Sequence, residues 1–256
     1  MLKTEHDLEK SEIKKRIYPI AAFLLFIVLW EVLVRLTGTP EYRLPAPTAV
    51  FGEFVDSWDI LLGHTAVTLA ETLLGFVSGT IVAIGFAMMV DYSNLVERIF
   101  MPFAVLSQTI PLVALAPLLA IWFGFGMLPK IILVILVVFF PVTVSLAQGF
   151  RSVDRDLLEM MEGIDANKRQ IFFKLKVPNA APYFFSGLRI SAAYAVMGAV
   201  ISEWTGASKG LGIFMTRAMS SFRTAALFAD IIIISILSIL LFKLIGYIER
   251  KTIKWQ

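Results

Sequence analysis

The chain has 256 residues, 58% of them apolar, and a mean hydropathy of +0.79. Globular domains run at about 45–50% apolar, so the excess points to a protein of the lipid bilayer. The formal charge of +3 comes without a basic stripe interleaved with aromatics, which argues against nucleic acid as a partner, and the lack of cysteine excludes disulfides, thiolate nucleophiles and cysteine-ligated metals.

A hydrocarbon core of about 30 Å asks for about 20 apolar residues in a helix. The first such run is 17–36, behind a head carrying Lys10, Lys14, Lys15 and Arg16. It is long for a signal peptide and no small-x-small cleavage site follows, so a retained helix is expected. The second, 65–90, carries Gly75, Gly79, Ala83 and Ala87 at four-residue spacing, a small-residue face that lets another backbone approach. The third, 95–123, is interrupted by Pro102, Pro111 and Pro117. Runs at 129–148, 182–204 and 225–248 complete six expected spans in one transmembrane domain, an all-α membrane fold. Short interfacial helices are expected in Pro40–Gly63 and Gly206–Thr224, where apolar residues recur at helical spacing.

Six spans put both termini on one side. That side carries 16 of the Lys and Arg residues and the other side six, with Arg189 inside the fifth span. The positive-inside rule then places both termini, and the loop 151–178, in the cytoplasm.

That loop interrupts the apolar chain with E159-M-M-E-G-I-D-A-N-K-R-Q-I-F-F-K-L-K-V-P178. Asp154 can cap a short helix that Gly163 ends; Asp165 or Asn167 can cap a second, and Pro178 stops it from running on. Leu157, Met160 and Met161 give the first helix an apolar edge, and Ile171, Phe172 and Leu175 give one to the second. A mere connection needs only a few residues, so an amphipathic helix pair suits docking into a partner's groove; lying on lipid headgroups is the alternative.

The pattern L-L-E-M-M-x3-D-x9-L-x-V-P resembles the cytoplasmic loop of binding-protein-dependent permeases of ATP-binding-cassette importers, whose motif reads E-A-A-x3-G-x9-I-x-L-P. Glu159 matches the Glu, Met160 and Met161 stand at the two Ala, Leu175, Val177 and Pro178 match the end, and Asp165 replaces the Gly. Asp can make the tight turn that the Gly allows. L44-P-A-P47, A116-P-L-L-A-I-W-F-G-F-G126 and K209-G-L-G212 resemble the nitrate, taurine and aliphatic-sulfonate branch, and P182-Y-F-F-S-G-L-R-I190 is similar to permeases for thiamine precursors.

The resemblance implies a pore subunit rather than an enzyme. Glu159, Met160, Met161, Asp165, Ala166, Leu175 and Pro178 would form the coupling surface for a separate ATPase subunit, which would bind ATP and Mg; this chain has no G-x4-G-K-[ST] loop and no cofactor of its own. A second permease copy, a solute-binding protein and the bilayer of the bacterial inner membrane would be the other partners. The implied solute is a thiamine-precursor pyrimidine, with taurine, an alkanesulfonate, nitrate or riboflavin as alternatives. Gln108, Tyr194 and Glu203 are the candidates for the substrate path.

A different class of function, an ion-coupled carrier, would rest on Glu31, Glu71, Asp91, Arg189, Glu203, Asp230 and Lys243, charged residues in or near spans. There is no H-E-x-x-H and no G-x-S-x-G, and His6 and His64 read as isolated solvated loop residues outside the spans.

Overall fold

The computed structural model describes residues 5–107 and 109–253, and side chains there apart from those of 5–16 and 105. These residues are helical in the order α1 (Glu5–Thr37), α2 (Pro47–Asp56), α3 (Trp58–Tyr92), α4 (Asn94–Ser107), α5 (Leu112–Phe123), α6 (Met127–Arg151), α7 (Arg155–Gly163), α8 (Lys168–Ile171), a π-helical turn (Phe172–Lys176), α9 (Val177–Glu203), α10 (Leu211–Ser220) and α11 (Thr224–Thr252). No strand occurs among them, as the all-α reading expects.

Among the described residues five helices are long and apolar enough to cross a bilayer: Ile17–Thr37, Trp58–Tyr92, Met127–Arg151, Lys168–Glu203 and Thr224–Thr252. The expected continuous span 95–123 is instead two helices of 14 and 12 residues, α4 and α5. At 1.5 Å per residue each reaches only about 20 Å, short of the hydrocarbon thickness. Pro111 explains the break: it has no N–H to give α4, and it sits in extended backbone as the N-cap of α5.

Two compact units emerge, Met1–Asp59 with Arg217–Ala229, and Ile60–Thr216 with Asp230–Gln256. In the first, Glu31 of α1 accepts hydrogen bonds from the Thr48 backbone N–H (3.1 Å) and hydroxyl (2.9 Å), which ties α1 to the start of α2. Arg223 pairs with Glu53 at 2.6 Å, and Trp30 packs on Phe228 at 5.5 Å between ring centroids. Of the expected interfacial segment 40–63 only α2 is a separate short helix. Trp58 and Leu61 belong to α3, and Leu61 is buried.

The second unit is built on α6. Lipid tails are as apolar as leucine, so helices within a bilayer associate by close packing rather than by the hydrophobic effect. α6 presents Leu133, Val134, Val137, Val138 and Val142, all buried. α3 meets it with the small-residue face read from the sequence: Gly75, Gly79, Ala83 and Ala87 are all buried. α9 adds Ala192, Ala195, Ala199 and Gly187. A Cβ at Gly79 would lie 3.0 Å from Val138 Cβ and 3.1 Å from the backbone of Ile135. Gly79→Leu should therefore cost about 1–3 kcal/mol by overpacking, seen as earlier thermal unfolding in detergent, and Val138→Ala in the same chain should recover part of the loss.

Candidate functional site

The helix pair between α6 and α9 forms as the local chemistry dictates. Asp154 caps α7, its carboxylate accepting from the Asp156 N–H at 2.9 Å. α7 ends at the glycine expected to stop it. Gly163 is its last helical residue and Ile164 its C-cap, while Asp165 takes the left-handed conformation, φ 55°. The Ala166 N–H reaches the Met161 carbonyl (3.0 Å) and the Asp165 N–H the Glu162 carbonyl (3.0 Å). This double bond pattern is a Schellman turn with Asp165 at its left-handed position. Asn167 opens α8 with a complete capping box: its side chain accepts from the Gln170 N–H (2.9 Å), and the Gln170 side chain accepts from the Asn167 N–H (2.8 Å).

Pro178 does not stop the second helix. Lys168 to Glu203 is one helical run, with the π turn Phe172–Lys176 placed just before the proline and the Val177 N–H bonded to the Phe172 carbonyl five residues back. A proline ring crowds the carbonyl one turn earlier and offers no N–H. Widening that turn to π geometry relieves the clash without breaking the rod. Leu175 lies in this turn and Pro178 in the first turn of α9, both half-buried.

Glu159 and Met160 are exposed on α7, Met161 and Ala166 half-buried, and Asp165 exposed at the turn. Glu159 faces Arg155 at 3.5 Å with both side chains in the open. The pair is anchored from beneath: Lys176 Nζ contacts both carboxylate oxygens of Asp91 at the end of α3 (2.7 and 3.0 Å), Arg151 pairs with Glu97, and Phe172 packs on Phe150. A cavity of about 990 Å³ opens between the helix pair and the α3–α4 corner, with Asp91, Tyr92, Glu162, Arg169 and Phe173 in its wall.

Near the N-terminal end of α3 lies a second constellation, and it is buried. Glu71 takes the Lys130 ammonium at 2.6 Å, although the two lie in different helices. Glu203, at the end of α9, is fully buried and accepts from the Thr68 hydroxyl (2.6 Å) and the Gly212 N–H (2.5 Å). Thr68 in turn accepts from the Leu211 N–H (2.8 Å), and the Gly210 N–H donates to His64 Nδ1 (2.9 Å). His64 is thus a residue of α3 with a defined partner, not the isolated loop histidine expected. Gly210 has φ 132°, and a Cβ there would collide with the Glu203 carboxylate. Buried polar groups must be paired; here they fasten the 203–212 turn to α3.

Of the substrate-path candidates, Glu203 belongs to this network, Tyr194 is half-exposed on α9 and Gln108 lies outside the described residues. The sequence flagged Glu203 and Glu71 but not Thr68, Lys130 or His64. Their only signal was polarity inside or beside an apolar run. The charges that suggested an ion-coupled carrier are largely paired: besides these, Arg189 pairs with Glu249 and lies over the Phe242 ring, and Glu31 pairs with Arg35. Asp230 is buried with neither carboxylate oxygen hydrogen-bonded among the described residues.

Residues 75–254 match the family described as binding-protein-dependent transport system inner membrane component. The chain is 38% identical over 239 residues to the formylaminopyrimidine transport permease protein ThiX of Halalkalibacterium halodurans, covering 93% of this chain and 95% of that one. It is 33% identical over 235 residues to the riboflavin transport system permease protein RibX of Chloroflexus aurantiacus, covering 91% and 88%. Its fold is similar to that in a crystal structure of an amino acid ABC transporter with histidines, TM-score 0.62 at 17% identity, covering 77% of this chain and 96% of that one. With the loop motif, the apolar spans and the matched length in agreement, the chain belongs to the binding-protein-dependent inner-membrane permeases of ATP-binding-cassette importers.

Proposed function

We propose that this chain is the pore-forming subunit of an importer powered by a separate ATP-binding-cassette ATPase, and that its solute is a thiamine-precursor pyrimidine of the formylaminopyrimidine class. The observation that carries the coupling role is the α7–α8 turn. Asp165 stands at the position of the family's glycine and takes the left-handed conformation, between two short helices of which the first leaves Glu159 and Met160 exposed. A surface this patterned on a chain without a nucleotide-binding loop suits a partner's cleft. Because α8, the π turn and α9 are one run, a push on the pair passes directly into a span. The ATPase binds ATP and Mg, and its closure shifts the pore between inward- and outward-facing states by binding one of them better.

In this reading a single permease domain crosses the membrane six times, α4 and α5 together making the third crossing, with both termini in the cytoplasm. Two copies enclose the pore, and a solute-binding protein delivers the solute from outside. The similarity to ThiX supports the pyrimidine, and the similarity to RibX supports a heteroaromatic solute more broadly.

The test is reconstitution. The tagged chain, expressed with its genomic neighbours, should co-purify with an ATPase in equal ratio, and proteoliposomes holding both plus the binding protein should accumulate labelled formylaminopyrimidine only when ATP is supplied. A chain that purifies alone, or uptake driven by an ion gradient without ATP, would overturn the reading.

A further inference from the structure

Backbone outside regular helix is tolerated at membrane depth only where it is buried in protein or lines a cavity. The break between α4 and α5 borders an open-sided cavity of about 570 Å³ lying among α3, α4 and α6, with Phe103 and Leu106 exposed at its rim. Among the described residues its wall holds five phenylalanines, Phe86, Phe100, Phe103, Phe139 and Phe140, with Leu106 and Ile110, and its polar atoms come from Ser107 at the end of α4 and Thr109 in the break. The rings offer both faces and edges. Phe86 and Phe100 are 4.4 Å apart between centroids, Phe100 and Phe140 lie nearly parallel at 15°, and Phe139 stands edge-on to Phe86 at 78° and to Phe140 at 71°.

The chemistry of the wall selects a ligand. Phenylalanine quadrupoles favour another aromatic ring, stacked or edge-on. Ser107 and Thr109 spend their hydroxyl protons on the carbonyls of Ala104 (2.8 Å) and Leu106 (2.7 Å), so toward the cavity they can only accept. Among the described residues no Lys or Arg lines the cavity. A sulfonate, taurine or nitrate anion would sit there uncompensated, which is costly in an apolar wall.

Resting on the solute class proposed above, we infer that this cavity is a solute subsite within the permease for an uncharged, flat heteroaromatic ring bearing an N–H donor. It selects such rings against aliphatic anions independently of the binding protein.

Equilibrium binding of labelled formylaminopyrimidine to the detergent-purified permease–ATPase complex, without binding protein, tests this, with an alkanesulfonate as competitor. Phe100→Leu and Phe139→Leu keep apolar bulk and remove the ring. Each should weaken binding about tenfold and leave co-purification of the ATPase unchanged, and the alkanesulfonate should not compete. Wild-type affinity in both leucine variants would overturn the subsite and leave the cavity to a lipid chain. Loss of the dimer with unaltered affinity would make it a contact between copies. Uptake by the complete system separates the two readings. Uptake of the heterocycle with no change in the variants sinks only the subsite, whereas uptake of the alkanesulfonate in place of the heterocycle sinks the solute assignment and the subsite together.

Discussion

Asp165→Val should abolish ATP-coupled uptake while Asp165→Gly preserves it. At φ 55° the Asp165 side chain sits where an L-residue tolerates the backbone only if it is small and polar. The left-handed conformation costs about 1–2 kcal/mol for an ordinary side chain, and a β-branched one is among the worst fitted. Valine therefore pulls the Schellman turn open, releases the Met161 and Glu162 carbonyls, and changes the angle between α7 and α8. Glycine has no such penalty and keeps both bonds. The spans are untouched in either variant, so thermal unfolding in detergent should move little while uptake falls by an order of magnitude or more in the valine variant. Glu159→Arg is the partner experiment. The ion pair with Arg155 is long at 3.5 Å and exposed, so its loss contributes almost nothing to stability. Reversing a charge on a docking surface, by contrast, should reduce the ATPase that co-purifies. Full uptake and full co-purification in both Asp165→Val and Glu159→Arg would remove the coupling role from this helix pair.

What could be read from the sequence was what is written in local pattern. Glycine and alanine every fourth residue in α3 announced a packing face, and α6 and α9 do close on such faces. Asp154 and Asn167 announced helix starts because a cap needs only the next three residues. Asp165 and Asn167 were equal candidates for the second cap, which falls to Asn167, and the turn at Asp165 was implied only by the family motif, whose glycine it replaces. What could not be read depends on neighbours far along the chain. Lys130 and Glu71 are 59 residues apart, and Thr68 and Glu203 are 135; nothing local marks either pair. Pro178 misled because its usual effect is to end a helix, and the alternative, a π turn that absorbs it, has no residue signature of its own. The break at Pro111 was visible as a proline, but three prolines punctuate 95–123 and only one divides the helix.

The buried Glu71–Lys130 pair should show that removing one partner is worse than removing both. Both side chains are almost wholly out of contact with solvent, and the Glu203 carboxylate lies alongside that of Glu71. Lys130→Met leaves the buried Glu71 carboxylate beside that of Glu203 without its ammonium partner. Breaking a buried pair in this way costs about 3–5 kcal/mol. Glu71→Met combined with Lys130→Met removes both charges and fills the space with flexible apolar chains, and replacing a whole buried pair is often neutral. The double variant should therefore unfold in detergent nearer the wild type than Lys130→Met does. Glu203 behaves differently, because its carboxylate is spent on the chain itself. Glu203→Ala leaves the Gly212 N–H and the Thr68 hydroxyl without their acceptor, worth about 1–3 kcal/mol for each buried group, and frees the 203–212 turn from α3. Glu203→Gln keeps one acceptor oxygen and should fall between. If Lys130→Met and the double variant unfold alike, the pair contributes no electrostatic coupling. If Glu203→Ala melts with the wild type, the turn is held by the packing of Leu211 and not by the carboxylate.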